Sequence, residues 1–209
     1  MFTRTVEKAP SDISVETLVA TLPSFFQFLL QGTLFIYDPV VRGTIAAGLT
    51  AGTLSAATDG SLLPSSKRGG TNGVVLCPSD DPDYVISSAA PIPTSHLSTS
   101  LTAEHYRLIT LSIIFHIITV TELPTAREQG DNCPKIAPVQ VYIDNQETVK
   151  RGNRIKSSRL TLKEHSVPDY DLWELSNGLL QALPFKLNCE CVKGHQDDDC
   201  AVVDLDLPA

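Results

Sequence analysis

Apolar residues recur at helical spacing near the start of the chain: Val15, Leu18, Val19 and Leu22, then Phe25, Phe26, Leu29 and Leu30. That repeat is the buried face of a helix. Ser14 stands where a cap belongs, and Asp38 followed by Pro39 predicts a second, short helix ending near Gly48 or Gly52. From Thr53 the texture becomes that of strands. Residues 53–58 are small and β-permissive and lead into Asp59-Gly60-Ser61, and residues 73–77 and 84–90 are two more strand candidates between turn-rich stretches. A long helix follows, capped by Ser98 or Ser100, with Leu101, His105, Leu108, Leu111, Ile114, Phe115 and Ile118 at helical spacing. Residues 139–143 form an apolar strand ending at Asp144-Asn145, residues 169–183 a further helix and residues 186–192 a last strand before Gly194-His195. The order β-β-β-α-β-α-β predicts an α/β fold: a hairpin meander continued by crossovers into a five-stranded mixed sheet flanked by helices. Residues 1–52 form a helical N-terminal extension to the sheet-bearing domain of residues 53–209.

Composition narrows the function classes. Of 209 residues, 42% are hydrophobic and 19% charged, enough to build a core and too apolar for wholesale disorder. The formal charge of −8 excludes a whole-surface grip on nucleic acid, so any such grip must be local. One local patch exists. Lys150, Arg151, Arg154, Lys156, Arg159 and Lys163 place six of the 16 basic residues within 14 positions, directly after Asp144. Its readings are a phosphate-contacting surface, with Lys150, Arg151, Arg154 and Lys156 as contacts, or a solvated face. Five cysteines form no small-scaffold disulfide pattern, and no signal peptide is visible, which points to a reducing, intracellular setting. Residues 17–37 carry no charge over 21 positions, the length of a membrane span. Pro23, Gln27, Gln31, Gly32 and three threonines dilute that stretch, so a buried helix broken near Gly32 is expected and no membrane partner.

Three acids are placed where chemistry is possible. Asp59 is expected at the end of the first strand, Asp144 at the end of the fourth, and Glu104 in the first turn of the long helix. If those strands are parallel neighbours, both aspartates emerge at one edge, and the helix can bring Glu104 over it. Such a cluster repels itself unless it is protonated or loaded with cations, and hard oxygen donors select Mg²⁺ or Mn²⁺. Two such ions are the usual device for in-line phosphodiester cleavage. Each acid also has a plain local role: Asp-Gly as a turn, Glu near a helix N-terminus, Asp-Asn as a cap.

Ser55-Ala56-Ala57-Thr58-Asp59-Gly60-Ser61 resembles the first strand of type 1 ribonuclease H domains. Thr102-Ala103-Glu104, Val141-Tyr142-Ile143-Asp144-Asn145 and Val192-Lys193-Gly194-His195-Gln196-Asp197-Asp198 are similar to later motifs of that family, in the form found in reverse-transcriptase-derived retroelements. The resemblance spans residues 53–198. It implies a metal-dependent endonuclease that cuts the RNA strand of RNA–DNA hybrids, with Asp59, Glu104 and Asp144 as metal-binding and catalytic acids and His195 assisting proton transfer or product release. It also implies a fourth metal ligand on a closing helix, for which Asp204 is the local match. Only 14 residues follow His195, so that helix is expected to be truncated and cleavage to be weak, stronger with Mn²⁺ than with Mg²⁺. An upstream reverse transcriptase domain in the parent element is a further implied partner. The alternative is a catalytically degenerate module that keeps the fold and binds nucleic acid without cutting it. Cys189, Cys191, His195 and Cys200 lack the two-residue spacing of zinc knuckles, and the first two are expected on a buried strand face.

Overall fold

The computed structural model describes residues 14–62, 70–78, 85–92, 100–123, 136–153 and 169–192. Three helices open the chain: α1 (Val15–Thr21), α2 (Ser24–Leu29) and, after a 3-10 turn at Leu34–Tyr37, α3 (Pro39–Ala51). The uncharged stretch 17–37 is therefore cut into three short pieces, at Pro23 and around Gly32. No helix among the described residues is long and apolar enough to cross a membrane. Ser14 caps α1 through the Thr17 amide, and Asp38 caps α3 through the amides of Val40 and Val41, with Pro39 at the first helical position. Gly52 ends α3 at φ 77°, a conformation that suits a residue without Cβ.

The sheet has five strands in the order β3-β2-β1-β4-β5. These are β1 (Ser55–Leu62), β2 (Gly70–Cys77), β3 (Ile86–Pro91), β4 (Val139–Ile143) and β5 (Leu187–Cys191). β1 pairs antiparallel with β2 and parallel with β4, and β4 is parallel to β5. This is the expected mixed sheet. Boundaries differ from expectation: β2 begins at Gly70 rather than at residue 73, and β1 does not end at Asp59 but runs on to Leu62 along β2, while its pairing with β4 ends at Thr58 opposite Ile143. Asp59-Gly60 is thus strand, not turn.

The long helix α4 (Ser100–Glu122) lies at the centre. The sequence predicts one apolar stripe, yet every residue from Thr102 to Phe115 is buried. The cause is that α4 is covered on several sides, by the sheet, by the N-terminal helices and by α6 (Tyr170–Ala182). A helix enclosed in this way is mostly apolar around its circumference, and the polar residues it does carry, Glu104, His105 and Arg107, are buried with it. Leu108, Ile109, Leu111, Ile114 and Phe115 are fully excluded from water, each stabilising the fold by roughly 1.5–3 kcal/mol relative to exposure. The N-terminal helices share this core, since Val15, Phe26, Leu29, Ile36 and Ile45 belong to the same cluster as the α4 residues. Arg42 fastens α3 to the end of α4 by an ion pair with Glu122 at 2.6 Å. Gly32 lies so close to β3 that a Cβ there would sit 1.7 Å from the Ala89 carbonyl oxygen.

One helix was not anticipated. α5 (Gln146–Asn153) begins directly after Asp144-Asn145, where the crowding of basic residues obscured its short apolar face.

Candidate active site

Parallel pairing of β1 and β4 sets the frame. Thr58 opposes Ile143 as the last pair, so Asp59 and Asp144 each occupy the next position at the same edge of the sheet. The Asp59 backbone is placed in β1, and its side chain lies outside the described residues. Asp144 leaves β4 half-buried. The cap that the Asp-Asn pair supplies comes from Asn145, not from Asp144: its Oδ1 accepts from the Glu147 amide at 3.1 Å and the Thr148 amide at 3.0 Å. The cap thus does not use Asp144, whose carboxyl instead shares a hydrogen bond with Glu104.

Glu104 meets it from above. Because α4 starts at Ser100, Glu104 sits in the second helical turn rather than the first, and no acid occupies the first turn. The helix dipole acts mainly within the first turn, so it does not account for this residue. Glu104 is 2% exposed. Burial, and after it a hydrogen bond shared with the Asp144 carboxyl, push its pKa up to about 8, against the opposing pull of Arg107. Thr58 Oγ1 donates to Glu104 Oε2 at 3.4 Å, and Arg107 Nη1 donates to Glu104 Oε1. The two carboxyls expected to meet, Glu104 and Asp144, are therefore brought together, with the β1 backbone at Asp59 alongside. Arg107 was not anticipated. The only signal was its position three residues after Glu104, which puts both on one helical face.

The scaffold behind this pair is polar and buried. His105 is fully buried, 6.0 Å from the Trp173 ring and 3.5 Å from Arg151 Nη1, and its Nδ1 has no hydrogen-bond partner among the described residues. Burial, and then the Arg151 charge, lower its pKa to about 4. Arg151 is 9% exposed and pairs with Glu147 at 3.2 Å. The expected phosphate contact at Arg151 is accordingly revised, because its guanidinium turns inward and fastens α5 to α4. Lys150, its neighbour, is exposed. Asp169 adopts a left-handed φ of 60° ahead of α6 and accepts from Thr102 Oγ1 at 2.7 Å, which ties the start of α4 to α6. His195, Asp204, Arg154 and Lys156 lie outside the described residues. Cys189 is buried, with its thiol pushed up to about 11 by desolvation, whereas Cys191 is exposed, so the two do not form a shared buried face.

No group of three or more His, Cys, Asp or Glu side chains suited to a metal ion gathers among the described residues, a set that omits the Asp59 side chain. A cavity of about 480 Å³ opens between the end of α5, the end of α6 and β5, lined by Asn153, Leu183, Phe185, Lys186 and Cys189; Glu104 and Asp144 do not border it.

No protein-family model matches the chain, and no curated protein matches it in sequence. Among solved structures it is similar to the N-terminal ribonuclease H domain of a Mycobacterium tuberculosis protein, determined as a fusion with maltose-binding protein. That likeness has a TM-score of 0.43 and 16% identity over 70% of this chain and 86% of the other. It is also similar to the LC11 ribonuclease H1 in complex with an RNA/DNA hybrid, with a TM-score of 0.43 and 18% identity over 67% and 85% of the two chains. A third likeness is to the ribonuclease H domain of prototype foamy virus, with a TM-score of 0.38 and 13% identity over 72% and 84%.

Proposed function

We propose that this chain is a divalent-metal-dependent nuclease domain that hydrolyses the RNA strand of RNA–DNA hybrids. The observation that carries the reading is the apposition of the Glu104 and Asp144 carboxyls at the edge where Asp59 is next in register. Buried carboxyls in contact are costly to ionise together. Burial and the Asp144 contact hold a proton on this pair despite the nearby Arg107 charge, and hard oxygen donors of this kind fit Mg²⁺ or Mn²⁺. Glu104, Asp144 and Asp59 would hold the metal, with Asp204 as the fourth ligand that the motif resemblance implies. A bound ion would polarise the phosphodiester and lower the pKa of an attacking water.

The chain's own residues do the positioning. Thr58 orients the buried Glu104 carboxyl, Asn145 caps α5 so that Asp144 is released toward the edge, and Arg151 holds α5 against α4. His195 takes the proton-transfer role that the resemblance gives it. Lys150, Arg154 and Lys156 supply local positive charge for the phosphate backbone of the hybrid. The same reading places the chain inside the cell, downstream of a reverse transcriptase domain in its parent element.

One observation favours a second reading, a module that binds the hybrid without cutting it: Arg107 already pairs with Glu104. Incubation with an end-labelled hybrid in Mg²⁺ and in Mn²⁺ separates the two. Cleavage of the RNA strand that Asp144→Asn reduces to background is expected. Retained cleavage in Asp144→Asn would refute the site, and hybrid binding with no cleavage in either metal would select the second reading.

A further inference from the structure

Arg107 is the largest fully buried side chain described in the chain, at 0% exposure. A guanidinium does not deprotonate in a protein, so a full positive charge is fixed in the interior. Burying it is costly unless anions and acceptors surround it. Its position answers that cost: it lies one helical turn after Glu104 and its Nη1 is bonded to Glu104 Oε1. Thr58 holds the other oxygen, Oε2. Both oxygens of the most deeply buried site carboxyl are therefore already engaged by protein groups, and one of those groups is a cation. A divalent ion approaching the Glu104–Asp144 pair has to displace or share Glu104 Oε1 with Arg107. It does so in an interior where like charges repel far more strongly than in water.

We propose that Arg107 is a built-in cation at Glu104 that opposes entry of a divalent ion, so that its charge sets the metal affinity of the site. This rests on the reading of Glu104 and Asp144 as metal-holding carboxylates. Arg107 is a positioning residue in this scheme, acting through Glu104. It holds Glu104 in place while no metal is bound, and it limits how strongly the pair recruits one. Substrate enters the same charge balance. A phosphate backbone laid over the edge would bring negative charge that offsets Arg107, so metal would bind more tightly in the presence of hybrid than in its absence.

The test is calorimetric titration of the full, chelator-stripped chain with Mn²⁺ and Mg²⁺, paired with the metal-induced shift in melting temperature. Arg107→Met keeps an unbranched side chain that fits a core and removes the charge; Arg107→Lys keeps the charge and changes the shape. Arg107→Met should bind Mn²⁺ at least about tenfold more tightly than the unaltered chain, as removal of a nearby buried like charge requires. Arg107→Lys should stay close to the unaltered chain. Equal affinities for all three, or tightening in both variants, would overturn the proposal. Asp144→Asn separates this failure from failure of the underlying reading. If Asp144→Asn abolishes binding while Arg107→Met leaves it unchanged, only the role of Arg107 falls; if no variant binds either metal, both fall. Should Arg107→Met prove unfolded in chelator, its recovery by millimolar Mn²⁺ is the expected result, and no recovery overturns the proposal.

Discussion

Glu104 makes the stability of the metal-free protein depend on pH in a direction opposite to that of most carboxylates. Its pKa is pushed up to about 8 from an ordinary 4.5 by burial and by the neighbouring Asp144. The native state therefore holds a proton that the unfolded chain gives up, and stability falls as pH rises through that interval. His105 works the other way. Its pKa of about 4 lies below the ordinary 6.5, so stability climbs between those values as pH rises and the unfolded imidazole loses its proton. Below pH 6.5 the slope from Glu104 is opposed by His105 and by His116, whose pKa burial also lowers, and between pH 6.5 and 8 Glu104 is the one of these three described groups that still titrates. One pKa unit corresponds to about 1.4 kcal/mol, so the loss across that window is on the order of 2 kcal/mol. For a chain of this size that is a fall of about 4–8 °C in melting temperature. Glu104→Gln imitates the protonated carboxyl, keeping an acceptor for Arg107 and offering a donor to Asp144. Melting curves in chelator at pH 6.5 and pH 8 should show the fall in the unaltered chain and little of it in Glu104→Gln. An equal fall in the variant would refute the assignment of that proton to the Glu104–Asp144 pair.

Asn145→Ala should remove the cap of α5 and cost about 1 kcal/mol, read as a melting temperature lower by about 2–4 °C; an unchanged melting temperature would show that the cap is not what fixes the turn after Asp144. Replacing Lys150, Arg154 and Lys156 with Gln should weaken hybrid binding and flatten its dependence on salt, because fewer counterions are released. Arg151→Gln should instead lower stability and leave the salt slope nearly unchanged, since that guanidinium is committed to Glu147 and His105.

The sheet was legible because its strands obey the simplest rule. Val139, Val141 and Ile143 are buried while Gln140 and Tyr142 are less so, and a period of two needs no tertiary information. The convergence of Glu104 and Asp144 followed from the order of elements and from the parallel pairing that the crossovers impose. What failed to show was whatever depends on the partner a side chain finds. Arg151 reads as one more member of a basic run, and only the approach of α5 to α4 turns it inward. Arg107 gives no sequence signal beyond its spacing from Glu104, and only the packing of neighbouring elements around α4 takes it fully out of water. Asp59 was expected to end the first strand, with an Asp-Gly turn as the plain alternative, but the ladder with β2 carries the strand on to Leu62 over that local preference.

The burial of α4 also explains why polar chemistry survives in so apolar a place. Thr58, Glu104, His105, Arg107 and Arg151 are all buried or nearly so, in a region where unpaired charge would unfold the chain. Three carboxyls, two guanidiniums and one proton come close to neutrality: Arg107 answers Glu104, Arg151 answers Glu147, and the shared proton answers the contact between Glu104 and Asp144. His105, neutral at physiological pH, adds no charge to either ion pair. Such a balance tolerates a new cation only if another leaves. Loss of the shared proton is the change available at neutral pH, because the guanidiniums cannot give theirs up. On the proposed reading of Glu104 and Asp144 as metal-holding carboxylates, metal entry would be coupled to proton release from the pair.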